Sequence, residues 1–122
     1  MPVIAQVFAA LAALLHVAIF AMESLLWTRP QVWKRFGLTS QQDAEVTRPL
    51  AYNQGYYNLF LAIGIVAGLV IGGVGGHAIV VFCCVSIIGA AIVLASSGAA
   101  YLRAAAVQGV FPVLALLAAA VV

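Results

Sequence analysis

Charge is what this chain lacks most. Only 7% of its 122 residues are Asp, Glu, Lys or Arg, where a soluble globular domain carries about a quarter. That deficit excludes an ordinary water-soluble fold. The five cations and three carboxylates leave a formal net charge of +2. With no basic stripe and no interleaved aromatics, a nucleic-acid partner is excluded as well. Cysteine is equally scarce. Cys83 and Cys84 stand side by side, without the C-x-x-C spacing of a redox or zinc site. Adjacent helical residues point about 100° apart, so both read as small buried hydrophobes. The opening Met1-Pro2-Val3-Ile4 has no basic residue, and the apolar run behind it is too long for the core of a cleaved signal peptide. It reads as a retained helix.

What is present is hydrophobic length: 66% of residues are hydrophobic and the mean hydropathy is +1.20. The chain reads as an all-α integral membrane protein, one four-helix transmembrane domain over residues 1–122. Spans of ~20 residues fall at about 5–27, 50–71, 77–99 and 104–122, with a cytoplasmic loop at 28–49. Within that loop Val32-Trp33-Lys34-Arg35-Phe36 reads as a short amphipathic interfacial segment, with Trp33 and Phe36 toward lipid and the cations toward headgroups. Gly37 ends it. Ser40 is placed to cap a second short helix from Gln41 to Val46. Gly64, Gly68 and Gly72 form a small-xxx-small groove, open to packing within the chain or to a homo-oligomer, and Gly72 to Gly76 reads as a tight turn. Ser86, Ser96 and Ser97 are able to bond back to their own helix. Arg29, Lys34, Arg35 and Arg48 lie in the first loop and Arg103 in the third. Both loops fall on one side of a four-span chain. The positive-inside rule makes that side cytoplasmic and puts both termini outside, in a cell inner membrane.

The first span is the unusual one, because it holds His16 and Glu23. Seven residues bring a helix back to nearly the same face, roughly 10 Å further along its axis, so His16, Phe20, Glu23 and Trp27 share a stripe. An unpaired carboxylate in hydrocarbon costs at least ~2.5 kcal/mol, which makes such residues functional candidates. The second span opens with Tyr52-Asn53-Gln54-Gly55-Tyr56-Tyr57-Asn58. There Gln54, Tyr57, Asn58 and Leu61 fall on one face with Asn53 beside it. Gln108 enters the last span four residues before Pro112, which frees a carbonyl there. Counted in residues from the cytoplasmic boundary, Glu23, Asn53 to Asn58, Ser96, Ser97 and Gln108 share a depth. A polar, hydrated cavity open to the cytoplasmic leaflet is the expectation.

The pattern His16-x3-Phe20-x2-Glu23-x3-Trp27, then Asn53-Gln54-Gly55-x-Tyr57-Asn58, then Gln108-Gly109-x2-Pro112, resembles a family of short bacterial and fungal membrane proteins known as domain of unknown function 1304. The resemblance covers essentially the whole chain. It implies a four-helix inner-membrane protein and brings no activity with it.

Three functions compete for these residues. In the first, the cavity binds a membrane lipid or small lipophilic molecule and acts on it. Glu23 and His16 are then the catalytic acid/base pair, and Asn53, Gln54, Tyr57, Asn58, Trp27 and Gln108 bind the substrate. Isomerisation or cyclisation of an isoprenoid or sterol-like compound fits that geometry. In the second, the protein is a small proton-coupled exporter. Glu23 lies near one interface, away from the midplane that alternating access favours, and the loop charge bias is unlike that of dual-topology dimers. In the third, the polar side chains only tie helices together, with Glu23 reaching Arg103. No cofactor motif is present: there is no Walker or dinucleotide spacing. One His and one Glu make a poor set for zinc or iron, so no metal is expected.

Overall fold

Strong hydrophobic runs, each closed by glycine, proline or a polar cap, resolve into five helices in the computed structural model, which describes residues 1–121. Helix α1 covers Val3–Phe20 and continues as a π-turn over Ala21–Leu25; α2 covers Pro30–Trp33 with a 3-10 turn over Lys34–Phe36; α3 covers Gln41–Ile71; α4 covers Gly73–Ser96; and α5 covers Leu102–Ala120 after a 3-10 turn at Ala99–Tyr101. No strand occurs among the described residues. Four segments, Val3–Leu25, Gln41–Ile71, Gly73–Ser96 and Ala99–Ala120, are long and apolar enough to cross a bilayer.

Contacts divide the chain into two compact units, residues 16–60 and residues 1–15 with 61–122.

In the larger unit the core is made of small residues. Ala9, Ala12 and Ala13 pack with Ala62, Ile65, Val80, Cys83, Cys84, Ile87 and Ala115. Both cysteines are buried there as free thiols, in keeping with their reading as small buried hydrophobes. The glycines of α3 pack inside the chain: a Cβ on Gly64 would meet Cys83 Sγ at 2.6 Å, and one on Gly68 would meet the Gly76 carbonyl oxygen at 2.8 Å. The reversal between α3 and α4 is tighter than the expected turn over Gly72 to Gly76. Only Gly72 and Gly73 take positive φ, 65° and 62°, and Val74 to Gly76 already belong to α4. Ser86 Oγ donates to the Phe82 carbonyl at 2.8 Å, while Ser96 and Ser97 donate to that of Val93 at 2.6 and 3.2 Å.

In the smaller unit the loop between α1 and α3 is folded on itself. Pro30 opens α2 at the first helical position, where a missing N–H costs nothing. Gly37 closes the segment with φ 81°. Its N–H bonds to the Lys34 carbonyl and that of Leu38 to the Trp33 carbonyl, the two bonds of a Schellman motif. Trp33 is a correction to the interfacial expectation. It is 6% exposed and packs with Trp27, Ala44 and Ala51, with Phe36 and Leu38 at the edge. Alanine at 44 and 51, two turns apart on α3, leaves room for two indoles, and burying an indole inside the protein outweighs laying it outward. Lys34 and Arg35 stay exposed.

A second correction concerns α3. The expected short helix from Gln41 and the expected span from Leu50 are one helix of 31 residues that passes through Pro49. Proline removes the bond to the carbonyl at position 45, but Glu45 and Pro49 lie on an exposed face, where that carbonyl is open to solvation. Thirty-one residues rise ~46 Å against a ~30 Å hydrocarbon core, so the polar first turns extend past what a span needs. Ser40 caps this helix as expected, its Oγ accepting from the Asp43 N–H at 3.1 Å. Ser40→Ala is expected to lower stability by about 1 kcal/mol, and Ser40→Asp to restore it, in thermal unfolding of detergent-purified protein.

Candidate functional site

The polar residues of the smaller unit are placed by three local devices. The first is the π-turn. The Leu26 N–H bonds to the Ala21 carbonyl at 3.0 Å, five residues back instead of four, which widens the helix where Glu23 and Ser24 sit. The second is Gly55. A Cβ there would run into Ser24 Oγ, so glycine lets the two helices approach until Ser24 Oγ donates to the Tyr52 carbonyl at 2.8 Å. The third is Asn58. Its Nδ2 donates to Glu23 Oε1 at 2.6 Å and to the Gln54 carbonyl one turn back at 3.2 Å. The backbone of α3 thus aims the amide, and the amide holds the carboxyl.

Rings flank this pair. Phe20, one turn before Glu23, meets Tyr56 edge-on at 5.1 Å. Tyr56 continues to Tyr52 at 5.0 Å and to Phe60 at 6.2 Å. Toward the loop, Trp27 Nε1 donates to Thr47 Oγ1 at 3.2 Å and its ring lies 4.9 Å from that of Phe36. Trp33 Nε1 donates to Gln41 Oε1 at 2.9 Å, and Gln41 Nε2 to the Thr28 carbonyl at 2.7 Å.

Of the residues singled out from the sequence, Glu23 and Asn58 are in direct contact. Trp27 is buried beside them in chain order, in the indole cluster of the loop. His16 is the most buried polar residue among the described residues at 1% exposure, whereas Glu23 is half-buried. Asn53, Gln54 and Tyr57 have exposed side chains. The packed face of α3 is carried instead by Ala51, Gly55, Asn58, Ala62 and Ile65, rotated from the expected one because small residues set the line of closest approach. Gln108 is half-buried on α5 and belongs to the larger unit.

Ser24, Gln41 and Thr47 carry contacts that the sequence pattern does not single out. For Ser24 the sequence holds one signal: it follows Glu23 directly, and the glycine that admits it lies inside the Asn53 to Asn58 run. No group of three or more His, Cys, Asp or Glu residues suited to a metal ion occurs among the described residues.

The fold therefore defines a class: a small all-helical protein built on four helices of membrane-spanning length, with a tryptophan-clasped loop and a hydrogen-bonded carboxyl in the first long helix. Residues 10–120 match the family described as "Protein of unknown function (DUF1304)", and the chain belongs to that family. Comparison with curated proteins and with solved structures returns no match.

Proposed function

We propose that the protein is a multi-pass protein of the cell inner membrane, with both termini outside the cytoplasm, in which Glu23 and Asn58 form a binding site for a small lipophilic molecule. His16 is the second proton-transferring group on the same helix. The observation that carries this reading is the Glu23 carboxyl: it lies in an apolar helix, on a π-turn, half-exposed, and oriented by an amide at 2.6 Å. A carboxyl in a span is costly, and π-turns recur where a function needs a side chain re-aimed. A bound molecule with a carbonyl or hydroxyl would hydrogen-bond to Glu23, while Phe20 and Tyr56 supply apolar walls. Proton transfer by Glu23 and His16 is the chemistry such a site offers. Arg29, Lys34, Arg35, Arg48 and Arg103 set the orientation by charge.

One specific observation favours a second reading, a structural clamp: Ser24 on Tyr52, with Gly55 pressed against it, ties the helices together beside Glu23. Native mass spectrometry and solvent extraction of the purified protein, beside Glu23→Gln and His16→Ala, separate the two. The expected result is a co-purifying lipophile in the wild type that is lost from both variants while yield and helicity persist. An empty wild type, with both variants losing thermal stability, leaves the clamp.

A further inference from the structure

Apart from Glu23, the larger unit carries a cleft of about 420 Å³ between α4 and α5. Its walls are apolar throughout, with Ile88, Ile92 and Ala95 on one side and Ala106, Val110 and Val113 on the other. Small residues create it: a Cβ on Gly109 would lie 3.5 Å from that of Ala91, so the helices touch along a narrow line and leave a slot beside it.

The slot has one polar end. On α5 it runs from Leu102 to Leu114, a rise of ~18 Å, close to the ~15 Å hydrocarbon depth of a single leaflet. Arg103, exposed at the start of α5, stands in the same helical row as Ala106, Val110 and Val113, at three, seven and ten residues. The N-terminus of this 19-residue helix adds the positive end of its dipole at that mouth. Beyond Arg103 the sequence has no charged residue.

An apolar slot one leaflet long with a cation beside one end matches one class of molecule. We propose that the cleft between α4 and α5 holds an acyl chain of an anionic phospholipid, whose phosphate is bound by the Arg103 guanidinium. A second copy of the chain seated there by two-fold symmetry about the membrane normal would set two Arg103 guanidiniums at one depth, which like-charge repulsion disfavours. The proposal rests on the reading of the four helices as membrane spans and is independent of Glu23.

The test offers detergent-purified protein equal amounts of phosphatidylglycerol and phosphatidylcholine with matched acyl chains and counts the retained lipids by native mass spectrometry. The ratio of retained phosphatidylglycerol to phosphatidylcholine is expected to fall about fivefold in Arg103→Gln, the factor expected for one basic residue at an anionic surface. Arg48→Gln, a cation outside the cleft, is expected to leave the ratio near the wild-type value. Ala106→Phe, which fills the slot, is expected to reduce retention of both lipids. An Arg103→Gln ratio equal to wild type overturns the proposal, as does undiminished retention in a folded Ala106→Phe. A change of oligomeric mass in Ala106→Phe also overturns it and makes the cleft a subunit interface. Should Ala106→Phe fail to fold, the surface pair Arg103→Gln and Arg48→Gln decides alone. A wild type that stays soluble without detergent would instead defeat the membrane reading, and Glu23→Gln is expected to leave the lipid ratio unchanged, so the two sites fail separately.

Discussion

Trp33→Ala is expected to destabilise the smaller unit by about 3–5 kcal/mol, the range for emptying an indole-sized site in a packed core. The indole is 6% exposed, and its neighbours Trp27, Ala44 and Ala51 cannot collapse onto the space, because two of them are alanines fixed on one helix. Three further contacts go with it: the bond to Gln41 Oε1 at 2.9 Å, the Lys34 ammonium at 5.8 Å from the ring centre, and the register that lets Gln41 reach the Thr28 carbonyl. Trp33→Phe separates these effects. It keeps a ring and loses the N–H, so about 1 kcal/mol is expected. Thermal unfolding gives the magnitudes, and limited trypsin digestion gives the location. Cleavage after Lys34 and Arg35 should accelerate strongly in Trp33→Ala and slightly in Trp33→Phe. A wild-type melting point and digestion pattern for Trp33→Ala would mean that the loop is not held by this cluster.

Gly76→Ala is expected to cost about 3 kcal/mol, the upper part of the range for overpacked cores. Its Cβ would run into the carbonyl oxygen of Gly68, a backbone atom that cannot rotate away, and the reverse substitution at Gly68 meets Val80 Cγ2 at 2.7 Å and the Gly76 oxygen at 2.8 Å. Helices α3 and α4 must therefore separate along the whole small-residue line that brings their backbones together. Gly89 provides the control on the same helix. Nothing lies within 4 Å of a Cβ there, so Gly89→Ala is expected to be neutral or to stabilise by up to ~1 kcal/mol through helix propensity. Unfolding midpoints of the pair should move in opposite directions. Equal shifts would show that α3 and α4 are not in intimate contact at Gly68 and Gly76.

The parts of this architecture legible in the sequence are those set by local chemistry. Four apolar runs, the Ser40 cap, the Gly37 stop and the small-residue spacing each follow from a property of one residue or one period. Counting residues also puts Asn58 at the depth of Glu23, and the two are in contact. What was not legible depends on partners distant in sequence. The π-turn at Ala21–Leu25 has no sequence signature, and it coincides with the stretch where Glu23 and Ser24 reach Asn58 and the Tyr52 carbonyl. The packed face of α3 is set by Ala51 and Gly55, whereas the eye follows the amides at Asn53 and Gln54, whose side chains are exposed. Trp33 reads as a membrane-interface residue beside two cations, and only the alanines at 44 and 51 reveal that a pocket awaits it. Proline at 49 reads as a boundary, yet a single lost bond on an exposed face is too small a cost to end a 31-residue helix.

Binding of a lipophilic molecule at Glu23, oriented by Asn58, is read from a melting temperature measured with and without that molecule. Protein stripped by exhaustive detergent exchange would be unfolded thermally before and after adding back the solvent extract of the untreated wild type. A ligand that binds only the folded state raises the midpoint by mass action. The extract is expected to raise the melting temperature of stripped wild type by clearly more than that of Glu23→Gln, which keeps only the cleft between α4 and α5. An extract that moves neither protein, or moves both equally, would contradict binding at Glu23.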